Sequence, residues 1–258
     1  MDYWAKRTGK AQEKLTTKNI TETEAQIKKY YQRSMKRTLD DFEKTYNKVL
    51  VSIGEGREPT PADLYKLDTY WKMQGQLRHE LEALGDKQVK YLSKKFESQF
   101  HEIYNSIALK GDAAFGTIDE ELAKQLINQI WCADGQSWSS RVWTNTSKLQ
   151  QELNDGLVEC LITGRKSSDL KKLLMERFEV SYNRADTLVR TEMAHIQTQA
   201  AQQRYKDYGI SEVEILVDRD ERTCDVCAEL EGKRYPIKGR MPVPAHPRCR
   251  CCIVPVVE

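Results

Sequence analysis

The residues best suited to chemistry lie between Asp218 and Val256. Cys224 and Cys227 form a Cys-x-x-Cys pair, and after 18 intervening residues comes His246-x-x-Cys249-x-Cys251-Cys252. Five of the seven cysteines and one of the four histidines fall in this stretch. Two short ligand pairs joined by a loop is the spacing that a tetrahedral zinc ion selects, because each pair closes a tight chelate and the loop brings the pairs together. Pro247 stiffens the second pair, and Gly232 and Gly239 let the connecting loop turn. The expected ligands are Cys224, Cys227, His246 and Cys249, with Cys251 as the alternate ligand and Zn2+ as a structural cofactor. A zinc ion held by four protein groups has no open position for substrate, so it stabilises folding and catalyses nothing. The competing reading is a set of reduced, unmetallated thiols around a small core. A thioredoxin-like role for the Cys224/Cys227 pair is disfavoured, since that chemistry wants the pair at a helix N-terminus in a βαβ setting.

Other constellations are weaker. Glu192-Met193-Ala194-His195 puts a carboxylate and an imidazole one helical turn apart, half of a di-metal arrangement, but the chain has no second copy. Arg190 and Glu192 flank Thr191 on different faces of a helix, which suits ion pairs or packing within the fold. There is no HExxH, no phosphate-cradling glycine loop and no GxSxG elbow. No catalytic and no cofactor-binding residues are therefore expected, and the protein reads as a non-enzyme.

Composition leaves room for such a site and says little about partners. The 258 residues suffice for one large or two modest domains, 39% of them are hydrophobic and 31% charged, and the net charge is only +2. Residues 1–110 hold 21 basic and 16 acidic side chains (+5), leaving 20 and 23 (−3) in the remainder. Within the tail, Lys233, Arg234, Lys238, Arg240, Arg248 and Arg250 meet no acid between Glu231 and Glu258. The opening MDYWAKRTGK lacks an apolar core and a cleavage site, so no secretory signal is expected. No apolar run approaches the ~20 residues of a membrane helix. Seven cysteines, an odd number bunched at one end, argue for a reducing compartment.

The elements that carry the tail read as helices. Residues 1 to about 52 form one or two long helices, with Ile27, Tyr31, Met35, Leu39, Phe42 and Val49 on one stripe. Gly54, Gly56 and Pro59 end that run, and Thr60-Pro61-Ala62-Asp63 opens a second helix through Leu64, Leu67, Trp71, Leu77 and Leu84. Gly85-Asp86 is expected to punctuate before a third stripe from Val89 to Ile107. A soft boundary falls near Gly111–Gly116. Thr117 or Asp119 starts a short helix to Ile130, and Ser137 or Ser139 caps a helix that Gly164 stops. Ser167 caps another through Phe178, and Ser181 caps a long one that Gly209 ends. The period then changes: Val213–Val217, Lys233–Ile237 and Cys252–Val256 read as three strands, with the cysteine pairs at their turns. The expected fold is mostly α with a small α+β C-terminal part. The expected domains are an extended helical one over 1–112 and an α+β one over 113–258, containing the Cys/His tail 218–256.

Together these features resemble the head morphogenesis (Mu F-like) minor head proteins of tailed bacteriophages. The resemblance rests on Trp131-Cys132-Ala133-Asp134-Gly135 with Arg141-Val142-Trp143-Thr144-Asn145, on the helix bearing Arg190-Thr191-Glu192, and on the tail. In the tail the matching residues are Asp218, Thr223, Cys227, Leu230-Glu231-Gly232-Lys233 and His246-Pro247-x-Cys249-Arg250. The start Tyr3-Trp4-x-x-Arg7 fits as well. The resemblance covers most of residues 130–258 and the N-terminal helices only in style. It implies a structural protein made in the bacterial host cytoplasm and located in the virion, inside the head or at the portal vertex. It also implies the portal protein, the major capsid protein or the scaffold protein as partners, assembly as an oligomer on the portal ring, non-specific DNA contact and no membrane. No catalytic residue is carried over.

Two functions follow. The first is a minor capsid protein acting in procapsid assembly. The second is a zinc-stabilised nucleic-acid-binding protein or nuclease using the six tail cations, since basic residues around a zinc site make a phosphate-binding surface.

Overall fold

Helix α1 runs unbroken from Tyr3 to Ile53 in the computed structural model, which describes residues 3–54, 60, 62–63, 68–109, 117–163 and 167–257. Helices α2 (Thr69–Ser106), α3 (Glu120–Ile127), α4 (Trp138–Thr163) and α5 (Ser167–Asp207) follow, then β1 (Glu212–Leu216), the short α6 (Asp225–Leu230), β2 (Arg234–Pro236) and β3 (Cys252–Pro255). The fold is mostly α with a small α+β C-terminal part, as the change of period indicates. Two compact units are interleaved along the chain. The first comprises Met1–Glu24, Tyr91–Trp138 and Asp186–Glu258, and the second Ala25–Lys90 and Ser139–Ala185. The expected domain boundary at 112/113 lies outside the described residues, as do Pro61, Leu64 and Leu67 of the expected second helix and the expected stop at Gly164.

Several helix boundaries follow from local chemistry. Gly54 has φ +84° directly after α1, where a left-handed residue ends a helix without a Cβ clash. Asp119 caps α3, accepting from Leu122 N at 2.9 Å. At the end of α5, Gly209 N donates to the Lys206 carbonyl and Ile210 N to the Tyr205 carbonyl, the doubled closure that consumes orphan carbonyls.

Two expected boundaries are corrected. Gly85-Asp86 does not interrupt α2: a Cβ on Gly85 would stand 2.5 Å from Trp143 Cζ3, so the glycine lets the ring lie on the helix backbone. Ser181 does not cap a helix either. It is buried within the single helix α5, where its hydroxyl meets Tyr31 Oη at 3.3 Å and its carbonyl accepts from Asn145 Nδ2 at 3.0 Å. A serine that looks like a cap can instead bond sideways to other elements.

In the second unit the apolar stripes of α1, α2, α4 and α5 supply the core, including Ile27, Leu81, Leu84, Leu149, Leu153 and Leu174. In the first unit, α2 buries Phe96, Phe100 and Ile103, and α5 buries Met193, Ile196 and Tyr205. The sheet, ordered β2-β1-β3, is antiparallel throughout and pairs Val213 with Tyr235 and Ile215 with Ile253. The early turns of α1 reach it by an unexpected route: Thr8, Gln12, Thr16, Asn19 and Thr23 are buried at helical spacing. Gln12 Nε2 donates to Tyr205 Oη at 3.0 Å and to the Ile253 carbonyl at 3.2 Å, tying α1 to α5 and β3. Gly9 allows that approach, because a Cβ there would meet Leu216 Cδ2 at 2.5 Å.

Candidate metal centre

The loop from β1 to α6 presents the first ligand pair. Thr223 Oγ1 donates to the Asp218 carbonyl at 2.7 Å and accepts from Asp220 N at 3.0 Å, which folds the turn that delivers Cys224. Cys224 sits at the N-cap of α6 and Cys227 within its first turn. The sequence reading did not anticipate this six-residue helix, so the pair does stand at a helix N-terminus, but beside an antiparallel sheet and not in a βαβ unit. The turn Leu230–Lys233 then returns the chain to β1: Gly232 N donates to the Ile215 carbonyl and Ile215 N to the Lys233 carbonyl, both at 3.0 Å. Gly232 has φ +70°, the conformation that favours glycine there.

The second group arrives on the segment leading into β3. His246 Nε2 lies 3.2 Å from Cys224 Sγ and 3.1 Å from Cys227 Sγ, and Cys227 Sγ lies 3.7 Å from Cys249 Sγ. The edges of a zinc tetrahedron are about 3.8 Å for two sulfurs and about 3.6 Å for sulfur and nitrogen, given the usual bond lengths. The sulfur edge already matches, and the imidazole stands slightly inside its distance. His246 Nδ1 donates to the Pro247 carbonyl at 2.8 Å, which orients the ring with Nε2 toward the sulfurs. The donors form two triads, Cys224/Cys227/His246 and Cys227/Cys249/Cys251, whose ligand atoms lie within 4.8 Å of one another in each. Cys227 belongs to both.

The expected ligands and the alternate Cys251 thus fall into two triads that share Cys227, each of which could hold a metal ion, and not into one group of four at that spacing. Cys227, Cys249 and Cys251 are buried, while Cys224 and His246 are partly exposed, so an ion has a route in. A hydrogen bond from Cys251 draws the Cys249 thiol down to about 5, and the same bond raises Cys251; burial pushes Cys227 up to about 12. Cys252, the remaining candidate, packs with Ala5 and Val254 in the core and is not part of either triad.

The two arginines beside the ligands are engaged internally. Arg250 pairs with Asp218 and with Asp220, whose carboxyl it holds well below the usual carboxylate range. Arg248 reaches Asp186 at 2.6 Å and Thr187 Oγ1 at 3.0 Å, while its main-chain N donates to Thr191 Oγ1 at 3.1 Å. Arg190 pairs with Glu24 at 2.5 Å and Asp186 at 3.4 Å. Glu192 accepts from Trp131 Nε1 at 2.9 Å, and the Trp131 ring stacks on His195 with centroids 4.3 Å apart. The Arg190-Thr191-Glu192 triplet therefore locks the Trp131 segment and the tail onto α5, in keeping with ion-pair and packing roles. Sequence reasoning missed Glu24 and Asp186. The available signal was a pair of acids on helices otherwise matched to basic neighbours, which is too common to single out.

Residues 151–254 match the family model described as Phage Mu protein F like protein. This stretch of the chain is similar to the Mu F-like family. Helix α5, β1, β2, all of β3 but its last residue and the whole Cys/His cluster lie inside the match, which supports a phage head-morphogenesis family and a virion-associated protein. No curated protein and no solved structure gives a significant match to the chain. Among the described residues, no helix is long and apolar enough to cross a membrane.

Proposed function

We propose that this protein is a phage minor head protein that acts in procapsid assembly by binding the portal protein, or the capsid interior, through its helical surfaces. We further propose that a structural zinc ion held by Cys224, Cys227, His246 and Cys249 closes its Mu F-like domain. The observation that carries the reading is how the residues shared with that family are used. Arg190, Thr191, Glu192, Trp131, Asp218, Thr223 and Arg250 all bond to one another or to neighbouring elements. That is the behaviour of a domain built as a rigid module for binding. The donor set, three thiols and one imidazole, suits zinc. When bound, zinc supplies cross-linking between α6 and the segment leading into β3.

The nucleic-acid reading depends on the tail cations. Arg248 and Arg250 face carboxylates and not solvent anions, which takes two of the six from that role. The decisive experiment is co-expression with the portal protein of the same phage. A complex that co-purifies and survives high salt is expected. No complex with portal, capsid or scaffold protein, together with salt-sensitive DNA binding that Arg248 and Arg250 substitutions weaken, overturns the reading in favour of the nucleic-acid one.

A further inference from the structure

A 660 Å³ cleft opens in the first unit between α5, the segment after α3 and the loop following β2. That volume falls within the roughly 300–1,000 Å³ typical of ligand clefts. One wall is a single face of α5, where His195, Gln199, Gln202 and Lys206 recur at helical spacing. The facing wall is apolar and includes Met241, Pro242 and Val243. Trp131 and His195 line the cleft as a stacked pair, their planes 9° apart. Gln202 Nε2 donates to the carbonyls of Ile237 and Gly239, both at 2.8 Å, and so pins the loop that carries Arg240.

The charge of the cleft is one-sided. No aspartate or glutamate lines it, and its cations are Lys206 and Arg240, both exposed. Elsewhere in the tail, Arg219, Arg222, Arg234, Arg248 and Arg250 each pair with a carboxylate. Among the described arginines of the tail Arg240 is the exception, and it is the one that faces the cleft. Gln129 and Gln199 add side-chain amides that can both donate and accept.

We infer that this cleft binds an extended acidic peptide segment of a partner protein, its carboxylates meeting Lys206 and Arg240 and its backbone meeting Gln129 and Gln199. Side-chain amides and an apolar wall match a peptide. A nucleic-acid strand presents a phosphate at every step and asks for a longer basic track and an open aromatic face. Here there are two cations, and His195 already covers one face of Trp131.

The test uses the full chain and fluorescence anisotropy with three labelled probes: a peptide of alternating Glu and Leu, its Gln-for-Glu counterpart, and an oligothymidylate of the same charge. The glutamate peptide is expected to bind and the glutamine peptide to fail. The double substitution Lys206→Glu with Arg240→Glu should weaken binding about tenfold or more. Arg240→Gln, milder to the fold, should give a smaller loss in the same direction, and Lys238→Glu, exposed and outside the cleft, should change little. The inference is overturned if wild-type protein does not bind the glutamate peptide, if Lys238→Glu weakens it equally, or if the oligothymidylate binds more tightly with the same dependence on Lys206 and Arg240. Binding of a synthetic peptide needs no head protein, so this result and the portal co-purification fail or succeed separately.

Discussion

The main-chain N–H of Arg248 donates to Thr191 Oγ1 at 3.1 Å, while the Arg248 backbone holds φ +63°. One residue before Cys249, the chain thus adopts a left-handed conformation that L side chains disfavour, kept in place by a hydroxyl on α5 and by the Asp186 ion pair. The contact fixes the backbone beside Cys249 against α5, which makes the Thr191–Arg248 link part of the support of the Cys/His cluster.

That strain gives a direct comparison. Arg248→Ala removes the bonds to Asp186 and Thr187 and keeps the left-handed penalty, whereas Arg248→Gly removes the same bonds and the penalty together. Urea denaturation should find the glycine variant more stable than the alanine variant by about 1 kcal/mol. Equal stabilities would show that the backbone at this position is not strained.

Cys227 is the sulfur common to both donor triads, so its loss should abolish metal binding. Elemental analysis is expected to find zinc in the wild type and none in Cys227→Ser, with a large fall in thermal midpoint, since structural zinc contributes up to ~10–16 kcal/mol in small domains. Cys252→Ala should keep its metal, because that thiol packs against Ala5 and Val254. Cys251→Ala separates the ligand sets: retained zinc assigns the fourth position to Cys249, and lost zinc assigns Cys251 a bond to the ion.

Much of this was legible in the sequence because the signals are local. Cysteine spacing, the period change after Gly209 and the Asp119 cap each depend on residues a few positions apart, and the structure reproduces them. What stayed hidden depends on distant partners. Gly85 and Ser181 carry the marks of helix ends, yet Trp143 and Tyr31, far away in sequence, give each a reason to sit inside a helix. The buried polar face of α1 was invisible to a search for apolar stripes, since Gln12 and Asn19 on it find their partners in the distant Tyr205, Ile253 and Glu102. The six residues of α6 are too few to show a period at all.

Glu24 provides a pH signature. Burial, a hydrogen bond with Asp186 and that residue's charge raise its carboxyl from 4.5 to about 7, against the opposing pull of Arg190 and Arg248. A carboxyl raised in the folded state favours the fold while protonated. As pH climbs from about 4.5 to about 7, the unfolded chain releases this proton first, and stability declines across that window. Glu24→Gln removes the titrating proton, so its thermal midpoint should vary less with pH between 5 and 7 than that of the wild type. Identical pH profiles for the two proteins would count against a raised Glu24.

Two glycines of α2 test the packing account in opposite directions. A Cβ on Gly85 would lie 2.5, 2.9 and 2.9 Å from three ring atoms of Trp143, while a Cβ on Gly75 would meet nothing within 4 Å. Helix propensity alone makes alanine better than glycine by roughly 0.5–1 kcal/mol at either place. Gly75→Ala should therefore stabilise the protein by about that amount. Gly85→Ala should destabilise it, because forcing the indole off its seat costs about 1–3 kcal/mol and outweighs the propensity gain. Adding Trp143→Ala to Gly85→Ala clears the clash, so in that background the glycine-to-alanine change should turn from harmful to mildly favourable. Chemical denaturation of the four proteins and the Trp143→Ala reference measures this sign change, and a Gly85→Ala cost that persists without the indole would mean that some other contact requires the glycine.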